Sequence, residues 1–158
     1  MDKLLRLLSE NSAYTTQELS LLLGESEDSV KARIADYEKQ GVIKGYRAVI
    51  NWEKVSDSGV TAYIELKVTP TKDKGFDDIA ERVMAFEEVS SVSLMAGTYD
   101  LGLTVKGDTI QDVSSFVSRK LSTLEGVLST ATHFFLKRYK YDGTVLADST
   151  VDERCMQF

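Results

Sequence analysis

The chain has 158 residues, 42% of them hydrophobic, and a net charge of −6 at pH 7. That length suits one domain or two small ones with a buried core, and no run of about 18 apolar residues is present to cross a bilayer. Its single cysteine, Cys155, excludes an internal disulfide framework and a cysteine-based zinc cage, and the polar start Met1-Asp2-Lys3 lacks a signal region, so the chain reads as cytoplasmic.

Asp2 is placed to cap a first helix, with Leu4, Leu5 and Leu8 facing inward and Asn11-Ser12-Ala13 ending it. Residues 15–41 then carry the strongest pattern in the chain. Thr15 and Glu18 stand at capping-box spacing, and Leu19, Leu22 and Leu23 form one apolar stripe. Gly24 falls where a left-handed residue ends a helix. Ser26 can cap the next helix, whose stripe is Val30, Ile34 and Tyr37, with Gly41 as its stop. Two short amphipathic helices joined by a glycine-containing turn are the sequence form of a helix-turn-helix.

Opposite that stripe lie Asp28, Ala32, Ala35 and Lys39, flanked by Ser29, Lys31, Arg33 and Asp36. Small Ala32 and Ala35 permit close approach to a groove. Ser29 and Arg33 are expected at base edges, with Arg33 suited to guanine. Lys31, Lys39 and Lys44 suit phosphates, as do the backbone amides at Thr16. The same mixture of charges also describes an ordinary solvated helix face.

Charge argues for weak binding by each such module. Residues 1–52 carry 7 Lys+Arg against 8 Asp+Glu, and the remainder 12 against 17, giving −1 and −5. Nucleic-acid readers are usually basic. Glu25, Glu27 and Asp28 favour a helix start through its dipole but repel phosphate. Affinity would therefore come from several linked modules.

Tyr46, Ala48 and Ile50 alternate with Arg47, Val49 and Asn51, which predicts a short strand as the wing of a winged helix-turn-helix. The polar stretch 53–59 reads as a linker, with Trp52 pinning its edge. From Val60 the period becomes two: Val60, Ala62, Ile64, Leu66 and Val68 share one face of a strand that Pro70 ends. Phe76, Ile79, Ala80 and Val83 mark a helix. Val92, Leu94 and Ala96 mark a second strand, and Leu101, Leu103 and Val105 a third. Asp108 and Gln111 would cap a second helix through Ile110, Val113, Val117, Leu121 and Leu124, closed by Gly126, and residues 127–140 form a long fourth strand. This order is the ferredoxin-like βαββαβ unit.

Neighbouring Phe134 and Phe135 must point to opposite sheet faces, so an aromatic leaves the helix-covered side, with Met95 as its companion. An apolar open face predicts a dimer packed sheet to sheet. Asp142-Gly143 favours a primed hairpin turn, after which Val145 and Leu146 would add an edge strand. The resulting fold class is α+β, divided into a helix-turn-helix domain (1–50), a linker (51–59), a ferredoxin-like domain (60–141) and an acidic hairpin and tail (142–158).

Gly97-Thr98-Tyr99-Asp100 joins the two middle strands. A glycine lets backbone approach a ligand, exposed loop amides can receive a carboxylate, and Asp100 can accept an ammonium. Making and capping a turn uses the same residues equally well.

The run Thr16-Gln17-Glu18-Leu19-Ser20, Gly24, Ser29-Val30-Lys31-Ala32-Arg33-Ile34 and Glu38-Lys39-Gln40-Gly41-Val42-Ile43-Lys44-Gly45-Tyr46 resembles the DNA-binding half of Lrp/AsnC (feast/famine) regulators. The βαββαβ half, with its Gly-x-Tyr-Asp loop, looks like the small-molecule-sensing domain of the same family, so the resemblance spans residues 2–140. It implies a second helix that enters the major groove of duplex DNA. It also implies an effector, commonly an amino acid, held between dimers at Gly97, Thr98, Tyr99 and Asp100, with the dimers assembling into octamers. No cofactor or metal is implied, and no enzymatic activity. The acidic turn of Glu25, Glu27 and Asp28 departs from the family pattern. Two rival readings stand beside this one. One is a ligand-sensing assembly without DNA binding. The other is an enzyme like the haem-pathway decarboxylases of similar fold, for which the chain offers one histidine, His133, and no Ser-His-Asp set, metal-ligand spacing or phosphate-gripping loop.

Overall fold

Three helices open the chain: α1 (Lys3–Glu10), α2 (Thr16–Leu23) and α3 (Glu27–Lys39). The computed structural model describes residues 2–56, 58–70 and 75–147. By contact it divides into two units, Met1–Ile50 together with the chain from Tyr139, and Asn51–Arg138. Cys155 and the acidic tail lie outside the described residues.

In the first unit, each helix start is held by a side-chain oxygen in place of a missing intrahelical acceptor. Asp2 accepts from the amides of Leu4 and Leu5, Thr15 and Glu18 form the reciprocal capping box, and Ser26 accepts from Ser29. Gly24 (φ 71°) ends α2 in the left-handed conformation that the sequence required there. Leu4, Leu7, Leu19 and Val30 form the buried core, with Leu8, Tyr14, Leu23, Ile34 and Tyr37 packed around it. Leu7 therefore replaces Leu5 as an inward residue of α1: the helix starts at Lys3, and Leu4 and Leu7, three apart, share its core-facing side. Leu22, expected in the stripe of α2, is exposed.

The expected wing strand does not form. Residues 43–51 have no regular structure, and the Tyr46 hydroxyl donates to Glu38 Oε1 at 2.9 Å. Alternation supplies a face, but a strand also needs a partner ladder. The hairpin does form: β5 (Lys140–Tyr141) pairs with β6 (Thr144–Val145) through Asp142 and Gly143, both at positive φ. Val145 thus pairs back onto Lys140 within its own hairpin.

The second unit carries β1 (Val60–Val68), α4 (Asp77–Met84), β2 (Val89–Leu94), β3 (Leu101–Gly107), α5 (Ile110–Phe116) and β4 (Val127–Phe134). The strands order as β2-β3-β1-β4, all antiparallel, with β1 central between β3 and β4. Ala62, Ile64, Leu66 and Val68 of β1, with Leu101, Leu103 and Val105 of β3, bury against Ile79, Val83, Val113 and Phe116 of the helices. Thr109, not Asp108, caps α5, in a capping box with Asp112, and α5 passes into a π-helical turn over Val117–Leu121. The stretch read as a linker belongs to this unit: Lys106 sits over the Trp52 ring at 5.8 Å, and Glu53 accepts from the Arg138 amide.

The fourth strand stops at Phe134, six residues short of its expected end. Phe134 faces the core opposite Ala62, while Phe135 is 43% exposed. The open face is more polar than expected. It carries Thr61, Tyr63, Glu65 and Lys67 from β1 with His133 opposite Tyr63, and Met95 lies against Gly102.

Candidate nucleic-acid interface and effector loop

The helix α3 touches its own unit through Val30, Ile34 and Tyr37, and turns Asp28, Ser29, Lys31, Ala32, Ala35 and Lys39 to the surface. Of the eight expected DNA-contacting residues, seven lie in or just beyond this helix, and six of them are exposed: Asp28, Ser29, Lys31, Ala32, Lys39 and Lys44. Gly41 (φ 70°) ends the helix, the amides of Val42 and Ile43 return to the Tyr37 carbonyl, and the Lys44 side chain folds back over Gly41.

Arg33 takes a different place. Its guanidinium is bonded to both carboxylate oxygens of Asp2, at 3.0 and 2.8 Å, and closely to Glu25. Tyr37 donates its hydroxyl to Asp2 at 2.8 Å, and Ser29 donates to Glu25 at 3.0 Å. One half-buried cluster thus ties the start of α1, the turn before α3 and the middle of α3. The hydrogen bond from Tyr37 leads the causes that hold the Asp2 carboxyl below its ordinary range, and the Arg33 bond does the same for Glu25. Arg33, expected to read guanine, is committed to the fold. Its partner Asp2 stands 31 positions away, beyond anything helical spacing reveals.

A second exchange of charge lies on the surface. Glu27 accepts from Thr16 Oγ1 at 2.7 Å and pairs with Lys31 at 2.9 Å. These contacts, the Thr16 bond first, keep the Glu27 carboxyl low, and Glu27 in turn raises Lys31. Of the acidic turn, Glu25 is thus paired with Arg33 and Glu27 with Lys31, which draws one expected phosphate contact, Lys31, into an ion pair. Thr16 engages through its hydroxyl and not through the backbone amide expected to meet phosphate.

In the sheet unit, loop 97–100 leaves β2 and enters β3. Asp100 is pinned at three points: its amide donates to Leu66 O at 2.9 Å, its carbonyl accepts from Met95 N at 2.7 Å, and its carboxylate accepts from Val68 N at 2.8 Å. The last bond satisfies an amide of β1 beside the register shift at Lys67 and Val68. Asp100 thus performs the capping role that turn chemistry allowed. Gly97 and Thr98 are exposed, and Gly97 is not in the left-handed region, with open space where a Cβ would stand. Tyr99 turns back to the sheet, its hydroxyl 2.9 Å from that of Tyr63. Tyr63 and Gly102 carry no signal of a site in the sequence, since they fall between the apolar positions that mark their strands. His133 pairs with Glu65 at 3.3 Å on the same open face.

Residues 61–145, more than half the chain, match the family model of the Lrp/AsnC ligand binding domain. The chain is 46% identical over 153 residues to the uncharacterized HTH-type transcriptional regulator YugG of Bacillus subtilis, covering 96% of this chain and 92% of that protein. It is 28% identical to a proline dehydrogenase transcriptional activator of Rhizobium radiobacter, covering 89% and 90%. A transcriptional regulator of Neisseria meningitidis, solved in complex with L-methionine, superposes with a TM-score of 0.71 at 29% identity, covering 89% of this chain and 93% of that one. The feast or famine regulatory protein of M. tuberculosis, also complexed with L-methionine, superposes at 0.71 with 28% identity, covering 91% and 95%. With a helix-turn-helix, a ferredoxin-like sheet and these relatives, the chain belongs to the Lrp/AsnC family of transcriptional regulators.

Proposed function

We propose that this chain works in the cytoplasm as a sequence-specific DNA-binding regulator whose α3 enters the major groove. The observation that carries the reading is the one-sided packing of α3, which leaves Asp28, Ser29, Lys31, Ala32 and Ala35 at the surface. In this reading Ser29, Ala32 and Ala35 approach base edges, Lys39 and Lys44 bind phosphates, and Lys31 joins them by leaving Glu27. Arg33 holds the helix in place and does not touch a base.

Loop 97–100 receives an amino acid, whose carboxylate meets the exposed amides near Gly97 and Thr98. The methionine complexes of two relatives support that class of effector. Because Asp100 already caps β1, its free lone pairs supply the ammonium contact at most in part. The protein acts as a dimer that assembles further, to an octamer, so that several weak modules engage DNA together.

Selection of bound sequences from a random duplex pool tests the reading. A palindromic consensus is the expected result, since a two-fold assembly reads two half-sites. Recovery of no enriched sequence, alongside amino-acid binding in calorimetry, would favour the ligand-sensing assembly without DNA binding, a reading that the Glu27–Lys31 pairing motivates.

A further inference from the structure

Turn chemistry accounts for Asp100 but not for Tyr99, whose ring lies back on the sheet. Tyr63 leaves the open face of β1 and meets the Tyr99 hydroxyl at 2.9 Å, with the rings edge to face and their centroids 6.3 Å apart. In the ladder, Tyr63 stands opposite Thr104, and Gly102 stands opposite Glu65, so the ring reaches diagonally across β3. Gly102 is what it crosses. A Cβ there would stand 2.0 Å from the Tyr63 hydroxyl and 2.9 Å from Cζ. Gly102 does not have a left-handed backbone, so it is the ring, and not the chain conformation, that requires glycine at this position.

Building on the proposed effector reading, we infer that Tyr63, seated over Gly102, is a positioning residue for the effector loop, holding Tyr99 so that the loop presents one arrangement of amides to the carboxylate of an α-amino acid. The loop is then fixed at two points before any ligand arrives, by Asp100 on β1 and by Tyr99 on Tyr63. Fixing a loop in its binding arrangement lowers the ordering cost of association. The Tyr63 phenol is pushed up to about 12, chiefly by its bond to Tyr99 and then by burial, so the tie persists throughout the neutral range.

Calorimetry with each of the twenty amino acids, on the full-length protein and on Tyr63→Phe, Tyr99→Phe and the double variant, tests this, with thermal melts confirming that each is folded. The full-length protein should bind at least one amino acid. Tyr63→Phe should bind it about five- to tenfold more weakly, the scale of one lost hydrogen bond. The double variant should lose no more than either single one, because the two hydroxyls act as one tie. Gly102→Ala, which pushes the ring aside, should reproduce the loss. Full affinity in Tyr63→Phe or in Gly102→Ala, or additive losses in the double variant, would overturn the inference and leave the effector reading standing. If the unaltered protein binds none of the twenty, that reading fails and this inference falls with it.

Discussion

Arg33 is the residue at which helical spacing and three-dimensional neighbourhood give opposite answers. On a helix wheel it flanks the exposed face, and a guanidinium there suits guanine. In the fold it is only 31% exposed, because Asp2 and Glu25 converge on it from two other segments. An arginine whose two terminal nitrogens bridge two carboxylates, Nη2 to Asp2 and Nη1 to Glu25, cannot be exchanged for lysine without losing that bridge. Arg33→Lys should therefore lower the melting temperature of the helical unit by several degrees, whereas Ala32→Gln should change the selected DNA consensus with little effect on melting. Scanning calorimetry and repeated sequence selection separate the two effects.

The same cluster sets a pH response. Asp2 and Glu25 have carboxyls held below their ordinary values of 3.8 and 4.5, so the folded state binds protons less readily than the unfolded one. Their contribution is complete above those ordinary values and is lost as pH falls through the depressed ones. Melting of the helical unit should be insensitive to these groups between pH 6 and 8 and should drop below about pH 4.5. In Arg33→Met that acid limb should be shallower, as circular dichroism melts across the range would show.

Elements were legible wherever a local rule fixes them. Thr15, Glu18 and Ser26 start their helices through their side chains, Gly24 and Gly41 end them through their backbone freedom, and the alternation from Val60 to Val68 is the central strand. The sites of failure share a cause, which is dependence on a neighbour. Residues 46–50 alternate but find no ladder, and β4 ends where its pairing with β1 ends, at Phe134 opposite Ala62. The cap of α5 was misplaced by one residue, since Asp108 and Thr109 both suit the position and only Thr109 faces its N3 residue, Asp112. Thr109→Ala should cost about 1 kcal/mol in urea unfolding, while Asp108→Ala should be nearly neutral. Gly126 closes the stretch after α5 at φ 92°, and a Cβ there would stand 2.8 Å from Ile79 Cδ1 in the core. Gly126→Ala should be the harsher change, about 2 kcal/mol or more from strain and overpacking together.

For the molecule as a whole, both halves of the fold were readable because the helix-turn-helix signature and the βαββαβ order each rest on spacing, and the family through the resemblance carried by residues 16–46 and the Gly-x-Tyr-Asp loop. The candidate site was only half readable. Its loop is contiguous in the chain, whereas Tyr63 reaches Tyr99 across 36 positions. Assembly is to be tested at the apolar side chains that the sheet unit leaves uncovered, among which Leu136 is 96% exposed and Leu128 69%. Leu136→Asp should shift sedimentation toward smaller species and weaken DNA binding at the same time. Tight binding by the smaller species would refute the need for linked modules.

Glu27, bonded to Thr16 and to Lys31, has one further consequence. If Lys31 binds phosphate as proposed, it must first leave that carboxylate, and since exposed pairs of this kind are worth little in water, each copy would bind only modestly more weakly for it. In an assembly of the proposed kind, several copies engaging one operator together would offset that small loss. On that proposal the acidity of the turn would make DNA binding depend on assembly without abolishing it.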